Sequence, residues 1–209
     1  LNDIMPASPN QPYDMHQIID IIVDNHDFME VKKEFAREMI TGFARLNGKT
    51  VGIVANQPMV MAGSLTVDSS DKQARFIRFC DCFNIPILIL ADTPAYMPGS
   101  TQEHNAIIRH GAKVLYALCE ATVPKISIAL RKAYGGGNLG MGILPGLSTD
   151  LVLYWPTMET GILGAEQSVE LYYADEISTS DNPEETRRKK IEEYRENYAN
   201  PFAEVSENP

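Results

Sequence analysis

The sequence predicts an α/β fold built on a largely parallel sheet. Strand-length apolar runs alternate with segments of helical period along most of the chain. Two of the runs, Ile85 to Ala91 and Ile126 to Leu130, carry almost no polar residue, as strands covered on both faces do. Each is followed by a loop punctuated with Gly or Pro, and the carboxyl ends of such strands are where α/β sheets place functional groups.

The chain has 209 residues, 44% hydrophobic and 22% charged, ordinary values for a globular protein with a sizeable core. A net charge of −10 gives no support to a nucleic-acid role or to binding an anionic membrane. The longest apolar runs are strand-sized, so no membrane insertion is expected. The three cysteines, Cys80, Cys82 and Cys119, are odd in number and lack zinc spacing. They read as reduced thiols, Cys80 and Cys119 packed as small apolar groups, in a cytoplasmic protein without a leader.

Leu1 to Asp14 holds three prolines and no period, and reads as an extended linker. Ile18, Ile19, Ile22 and Val23 make Met15 to Asp24 a short amphipathic helix, and residues 1–30 form an inter-domain segment. Phe28 to Val31 is an expected strand. Asn47-Gly48 sits between two β-prone runs from Met39 to Pro58 and predicts a hairpin, because both turn residues tolerate positive φ. Asp68 to Asn84 reads as a helix opened by DSSD, with Phe76, Phe79, Cys80 and Phe83 on one face. Ser100-x-x-Glu103 reads as a capping box starting a helix that runs to about Glu120. A short helix after the glycines should stop at Pro145-Gly146. Asp150 to Trp155 should be a strand, and Glu166 to Tyr173 and Asn182 to Ala199 helices. The charged stretch in the last helix reads as a solvated face, and residues 203–209 as a loose tail.

Gly135, Gly137 and Gly140 satisfy G-x-G-x-x-G, the pattern of a dinucleotide phosphate loop. Residues Arg131 to Tyr134 separate them from the expected strand, and Pro145 leaves little room for the long helix such a site requires. A P-loop is excluded because no G-K-[S/T] follows. Consecutive glycines after a strand also suit a backbone anion cradle, with N–H groups aimed at an enolate or thioester oxygen. A tight turn packed beneath a helix explains them equally well. No nucleophile motif and no metal-ligand spacing appears, and the histidines read as surface or capping residues. Asp92 reads as an Asx-turn residue of the Thr93-Pro94 loop. Arg131 and Lys132 could attract an anion or end a strand in solvent. Met59, Met61 and Met97 read as loop or pocket lining. The residues therefore offer a backbone anion site without a side-chain catalytic set.

The runs VGIVANQP, SSDKQARFIRFCDCFNIPILILADTPAYMPGSTQE, IIRHGAKVLYALCEATVPKISIALRKAYGGG and DLVLYWPT resemble the biotin-dependent acyl-CoA carboxyltransferases. These are propionyl-CoA and related acyl-CoA carboxylase β subunits and the carboxyltransferase subunits of transcarboxylases and decarboxylases. The resemblance covers about Ile4 to Phe202 and implies a crotonase-like superhelix of β-β-α units. Residues 31–202 would be its C-terminal half, the N-terminal half being absent. It implies biotin as cofactor, delivered as carboxybiotin on a biotin carboxyl carrier protein or biotin carboxylase subunit, and no metal. It implies an acyl-CoA substrate, the N-terminal carboxyltransferase half as partner, and a homo-oligomer with a shared site. Carboxybiotin would release CO₂, the biotin anion would take the acyl α-proton, and the enolate would capture the CO₂. The catalytic backbone donors carry over to Gly136 and Gly137. Biotin contacts carry over to Gly135, Tyr134, Thr93, Pro94, Tyr96 and Gly99, and the acyl pocket to Asn138 and Leu139. Gly137→Val is then expected to cripple the full-length enzyme with the fold largely intact. The sequence departs from the family at Ala95-Tyr96, at His104-Asn105-Ala106 and after Gly137. Those departures leave open a degenerate half serving assembly or carrier docking. A stand-alone hydratase or isomerase lacks its paired carboxylates.

Overall fold

The computed structural model describes residues 4–6, 8, 10–144, 146 and 149–207. Helix α1 (Met15–Ile22) is capped by Asp14, which accepts from the His16 N–H. It leads to strand β1 (Phe28–Glu30) and the hairpin of β2 (Met39–Leu46) and β3 (Lys49–Asn56). Leu46 pairs with Lys49, and Asn47 and Gly48 take φ of 50° and 78°, the two-residue turn the sequence predicts. Asp24 fastens that turn by accepting from the Asn47 and Gly48 N–H groups at 2.9 and 2.6 Å.

Helix α2 (Val67–Cys82) starts one residue before the expected point, because its capping box is Thr66 with Ser69. Of its expected apolar face, Phe76 and Cys80 are buried, but Phe79 and Phe83 are 46% and 62% exposed. They extend an aromatic ladder outward from Phe43, with ring centroids 4.6–5.7 Å apart. Cys82 and Cys119 are also exposed, so Cys80 alone of the three packs as a small apolar group.

Strand β4 (Ile87–Thr93) is buried throughout. The helix expected from Ser100 to Glu120 is two helices, α3 (Ser100–His104) and α4 (Ile107–Glu120). Ala106 takes the left-handed conformation between them (φ 60°, ψ 50°), and Gly99 caps α3 without a side-chain hydrogen bond, so no Ser100–Glu103 capping box forms. Strand β5 (Lys125–Tyr134) runs four residues past its expected end and passes straight into α5 (Gly135–Gly140). Arg131 to Tyr134 therefore do not separate the glycines from the strand. What argues against a dinucleotide site is that α5 has six residues.

Strand β6 (Leu151–Tyr154) is as expected, and β7 (Glu159–Gly161) is additional. Helix α6 (Ala165–Tyr172), the unforeseen α7 (Ala174–Ser178) and α8 (Pro183–Asn197) follow. Helix α9 (Pro201–Glu207) takes up residues 203–207 of the expected loose tail, since Asn200 accepts from the Phe202 and Ala203 N–H groups and starts it; residues 208–209 of that tail lie outside the described residues. Pro145 lies outside the described residues.

The sheet runs β1-β2-β3-β4-β5-β6, with β7 also on β5. The β1/β2 and β2/β3 pairs are antiparallel, and the other four are parallel. Helices α2 and α4 bury one face, with Phe76, Ile77, Val114 and Leu118 against Val54 and Ile89. The opposite face packs against α1 and against the supposed linker, whose Met5 and Tyr13 are buried there. Lys72 is 2% exposed and its ammonium donates to the carbonyls of Phe35, Ala36 and Met39 at 2.6–3.3 Å, which fixes the β1–β2 loop.

Asp14 accepts from the Gln57 amide at 2.7 Å and from His16. Burial works against its charge, but these hydrogen bonds outweigh it and hold its pKa below the usual range. A carboxylate lowered by folding contributes stability above its unfolded pKa, lost as pH falls through the folded one. Asp14→Asn should therefore destabilise the chain at pH 7 and flatten its loss of stability below about pH 4. Thermal melts at pH 3 to 7 read this, and parallel curves for both proteins would contradict it.

Candidate functional site

The ends of β4 and β5 are tied by a buried ion pair. The Asp92 carboxylate accepts from Arg131 Nε at 3.0 Å and from the Lys132 N–H at 3.2 Å, with Lys132 Nζ at 3.7 Å. Asp92 is fully buried, so it is neither an Asx-turn residue nor a group facing ligand. Arg131 and Lys132 are 2% and 9% exposed, hence not anion-collecting strand ends. Burial lowers the Lys132 pKa and Asp92 pulls it part of the way back. Arg131 Nη1 donates to the Ser8 and Gln11 carbonyls, and its guanidinium lies 4.9 Å from the Tyr13 ring.

This clamp sets the height at which two segments leave the sheet, the loop Pro94 to Gly99 and helix α5. Gly135 makes the strand-to-helix turn with φ of 50°, and a Cβ there would meet the Ile162 carbonyl at 3.0 Å. Tyr134 precedes α5 and gives no side-chain cap. The first N–H groups of a helix have no intrahelical acceptor, and among the described residues neither Gly136 nor Gly137 donates outside α5.

Beside α5 lies a cleft of about 390 Å³, walled by Tyr96, Met97 and Pro98 from the loop, Glu103, Ile107, Ile108, Gly111, Ala112 and Leu115 from α3 and α4, and Gly136 and Leu139 from α5. The side chains that line it are apolar apart from Glu103 and the Tyr96 hydroxyl. Burial pushes the Tyr96 hydroxyl up to about 12, and a hydrogen bond with Ser70 pulls it slightly back. It is a neutral hydroxyl at physiological pH.

The structure therefore brings Gly136, Tyr96 and Leu139 to one cleft. Thr93 and Gly137 stand behind it, packed on each other: a Cβ on Gly137 would lie 2.9 Å from Thr93 Cγ2 and 3.4 Å from the Ala95 backbone. Gly137→Val would thus disturb packing, contrary to the expectation of an intact fold. Tyr134 is buried with its hydroxyl donating to Glu159 at 2.8 Å, and burial and that carboxylate raise its pKa. Tyr134 is not among the residues that line the cleft. Pro94 and Gly99 belong to the loop without forming the wall, and Asn138 Oδ1 is buried with no hydrogen-bond partner among the described residues. Sequence reasoning missed the α4 wall. Its signal is the small pair Gly111-Ala112 within an apolar helix, where a close neighbour is required.

Residues 1–208 match the family model described as the carboxyl transferase domain. The chain belongs to this family. It is 49% identical over 202 residues to the propionyl-CoA carboxylase carboxyltransferase subunit of Haloferax mediterranei, covering 97% of this chain and 39% of that protein. Identity to the methylmalonyl-CoA decarboxylase α subunit of Propionigenium modestum is also 49%, with the same coverage. Among solved structures it superposes on transcarboxylase 12S, a hexamer solved with methylmalonyl-coenzyme A, with a TM-score of 0.92 and 47% identity over 99% of this chain and 40% of that one. The geranyl-CoA carboxylase β subunit of P. aeruginosa gives a TM-score of 0.81 at 28% identity, over 96% and 38%. The crotonase-like fold expected of the carboxyl transferase domain is thus present. The chain spans about two-fifths of the length of these relatives. Among the described residues no helix is long and apolar enough to cross a membrane, and no group of three or more His, Cys, Asp or Glu side chains could hold a metal ion.

Proposed function

We propose that this chain is the biotin-side half of an acyl-CoA carboxyltransferase site, completed by the family's other half in an oligomer. One observation carries the reading: an exposed glycine, Gly136, stands at an uncapped helix N-terminus on the wall of an apolar cleft. An uncharged bicyclic ring fits an apolar cleft that offers backbone donors at one end. Carboxybiotin, brought by a carrier domain or protein, would supply the carboxyl group and, once decarboxylated, the base. Gly136, with Gly137 behind it, stabilises negative charge on an oxygen through N–H groups fixed in advance of the reaction. The apolar walls exclude water and strengthen those hydrogen bonds. Leu139 sets the floor beside Gly136 and limits the substrate's shape, with Asn138 behind it. The Asp92–Arg131–Lys132 clamp holds both segments in place. Gly135, Thr93, Pro94 and Gly99 shape the backbone from behind, and Tyr134 supports the end of β5 through Glu159.

The test is carboxyl transfer by the complete subunit, offered free biotin with malonyl-, methylmalonyl- or glutaconyl-CoA, following loss of the thioester's carboxyl group. Turnover is the expected result, and the preferred thioester identifies the acyl group. A folded oligomer without turnover would overturn the reading in favour of a degenerate half that serves assembly or carrier docking.

A further inference from the structure

Three glycines from two helices converge on one side chain. A Cβ on Gly111, in the middle of α4, would lie 3.0 Å from Tyr96 Cε1 and Cζ. One on Gly136 would lie 3.3 Å from Cδ2, on the opposite edge of the ring. One on Gly140 would lie 2.6 Å from the Tyr96 hydroxyl oxygen. The ring is thus gripped on both edges and at its tip. Glycine within a helix costs about 1 kcal/mol relative to alanine, so Gly111 is a sacrifice of α4 stability made for this contact. The main chain on either side of the ring is also fixed: Leu65 N–H donates to the Ala95 carbonyl at 3.0 Å, and Met97 N–H donates to the Leu65 carbonyl at 2.7 Å. Tyr96 therefore joins the Pro94 to Gly99 loop, α4 and α5 at one point, and its Cδ2 edge stands where a side chain on Gly136 would begin.

We infer that Tyr96 is a positioning residue, whose ring, seated in the Gly111–Gly140 socket, holds Gly136 at the place where its N–H meets the reacting oxygen. This rests on the proposed function. It assigns the ring to the geometry of the backbone donor and not to a ligand contact. The hydroxyl is secondary, since the ring edges make the contacts that matter.

A size-exchange series in the complete subunit tests the inference, with kcat, KM for the thioester, KM for biotin and melting temperature measured for each variant. Tyr96→Phe, which keeps the ring and its edge contacts, should recover most of the kcat that Tyr96→Leu loses. Tyr96→Leu should lower kcat about 10- to 100-fold, as a displacement of about 1 Å does, with both KM values unchanged. Gly111→Ala, which presses the ring toward Gly136, should also lower kcat. Together with Tyr96→Leu it should cause no further loss, because the leucine leaves the added methyl room. Additive losses, or a raised KM for biotin at constant kcat, would overturn the inference. Hydrogen exchange of the segment 135–140 gives a readout independent of turnover. Tyr96→Leu should speed it while leaving β4 and β5 unchanged, and unchanged exchange in 135–140 would overturn the inference. If the unaltered subunit transfers no carboxyl group, the proposed function fails, and the exchange result still decides whether Tyr96 holds α5.

Discussion

Gly136→Val should lower kcat for carboxyl transfer by about 10²–10³, the loss associated with removing one oxyanion donor. The branched side chain would stand in the cleft between the Gly136 N–H and the oxygen it is proposed to meet. The fold should survive. Gly136 is exposed, its φ lies outside the left-handed region, and the nearest obstacle to a Cβ is Tyr96 Cδ2 at 3.3 Å. Gly136→Ala should fall between wild type and valine. Melting temperature and oligomeric state, measured beside the rates, separate this from misfolding. Gly137 cannot serve for the same test, because a side chain there collides with Thr93 and the Ala95 backbone. An unchanged kcat in Gly136→Val would remove this glycine from the oxyanion assignment.

The largest loss of stability is expected from Asp92→Ala. The substitution leaves two cations in the interior without their carboxylate, and breaking such a pair from one side costs about 3–5 kcal/mol. Asp92→Asn should cost less, because an amide oxygen can still accept from Arg131 Nε and the Lys132 N–H. The alanine variant should also loosen the amino-terminal segment, since Arg131 holds the Ser8 and Gln11 carbonyls only while its own position is fixed. Denaturant midpoints read the first effect, and proteolytic cleavage before Tyr13 reads the second. A midpoint shift of less than about 1 kcal/mol would place the pair among those that barely repay their desolvation.

What the sequence disclosed and what it hid follow one physical division. The hairpin was legible because Asn47-Gly48 encodes its turn within two residues. The buried strands were legible because their apolar content is continuous. The end of β5 was not, because Arg131 and Lys132 look like solvent-facing residues until Asp92, 39 and 40 positions earlier in the chain, neutralises them. The break at Ala106 was hidden as well. Alanine has no preference for the left-handed conformation, and no nearby residue announces it. At the site, the resemblance carried the eye to α5 and the Asp92 to Gly99 loop. It gave no hint of the α4 wall, whose role shows in the closeness of Gly111 to Tyr96. Packing accounts for Gly137 and Gly140, while Gly136 lines the cleft, where the anion cradle is proposed.

The hold of Arg131 on the amino-terminal segment has a consequence for how the protein is made. Gln11 and its partner are 120 residues apart in the chain. At ordinary elongation speeds the ribosome needs on the order of 10 s to get from one to the other. Met5 and Tyr13 leave the ribosome well before β5, yet they have no finished surface to rest on until β5 is complete. The β2–β3 hairpin can close within microseconds of its synthesis, whereas the segment around Met5 and Tyr13, made before it, finds its place later. A nascent-chain chaperone would meet this segment open, and a pause in translation before Arg131 would lengthen that exposure.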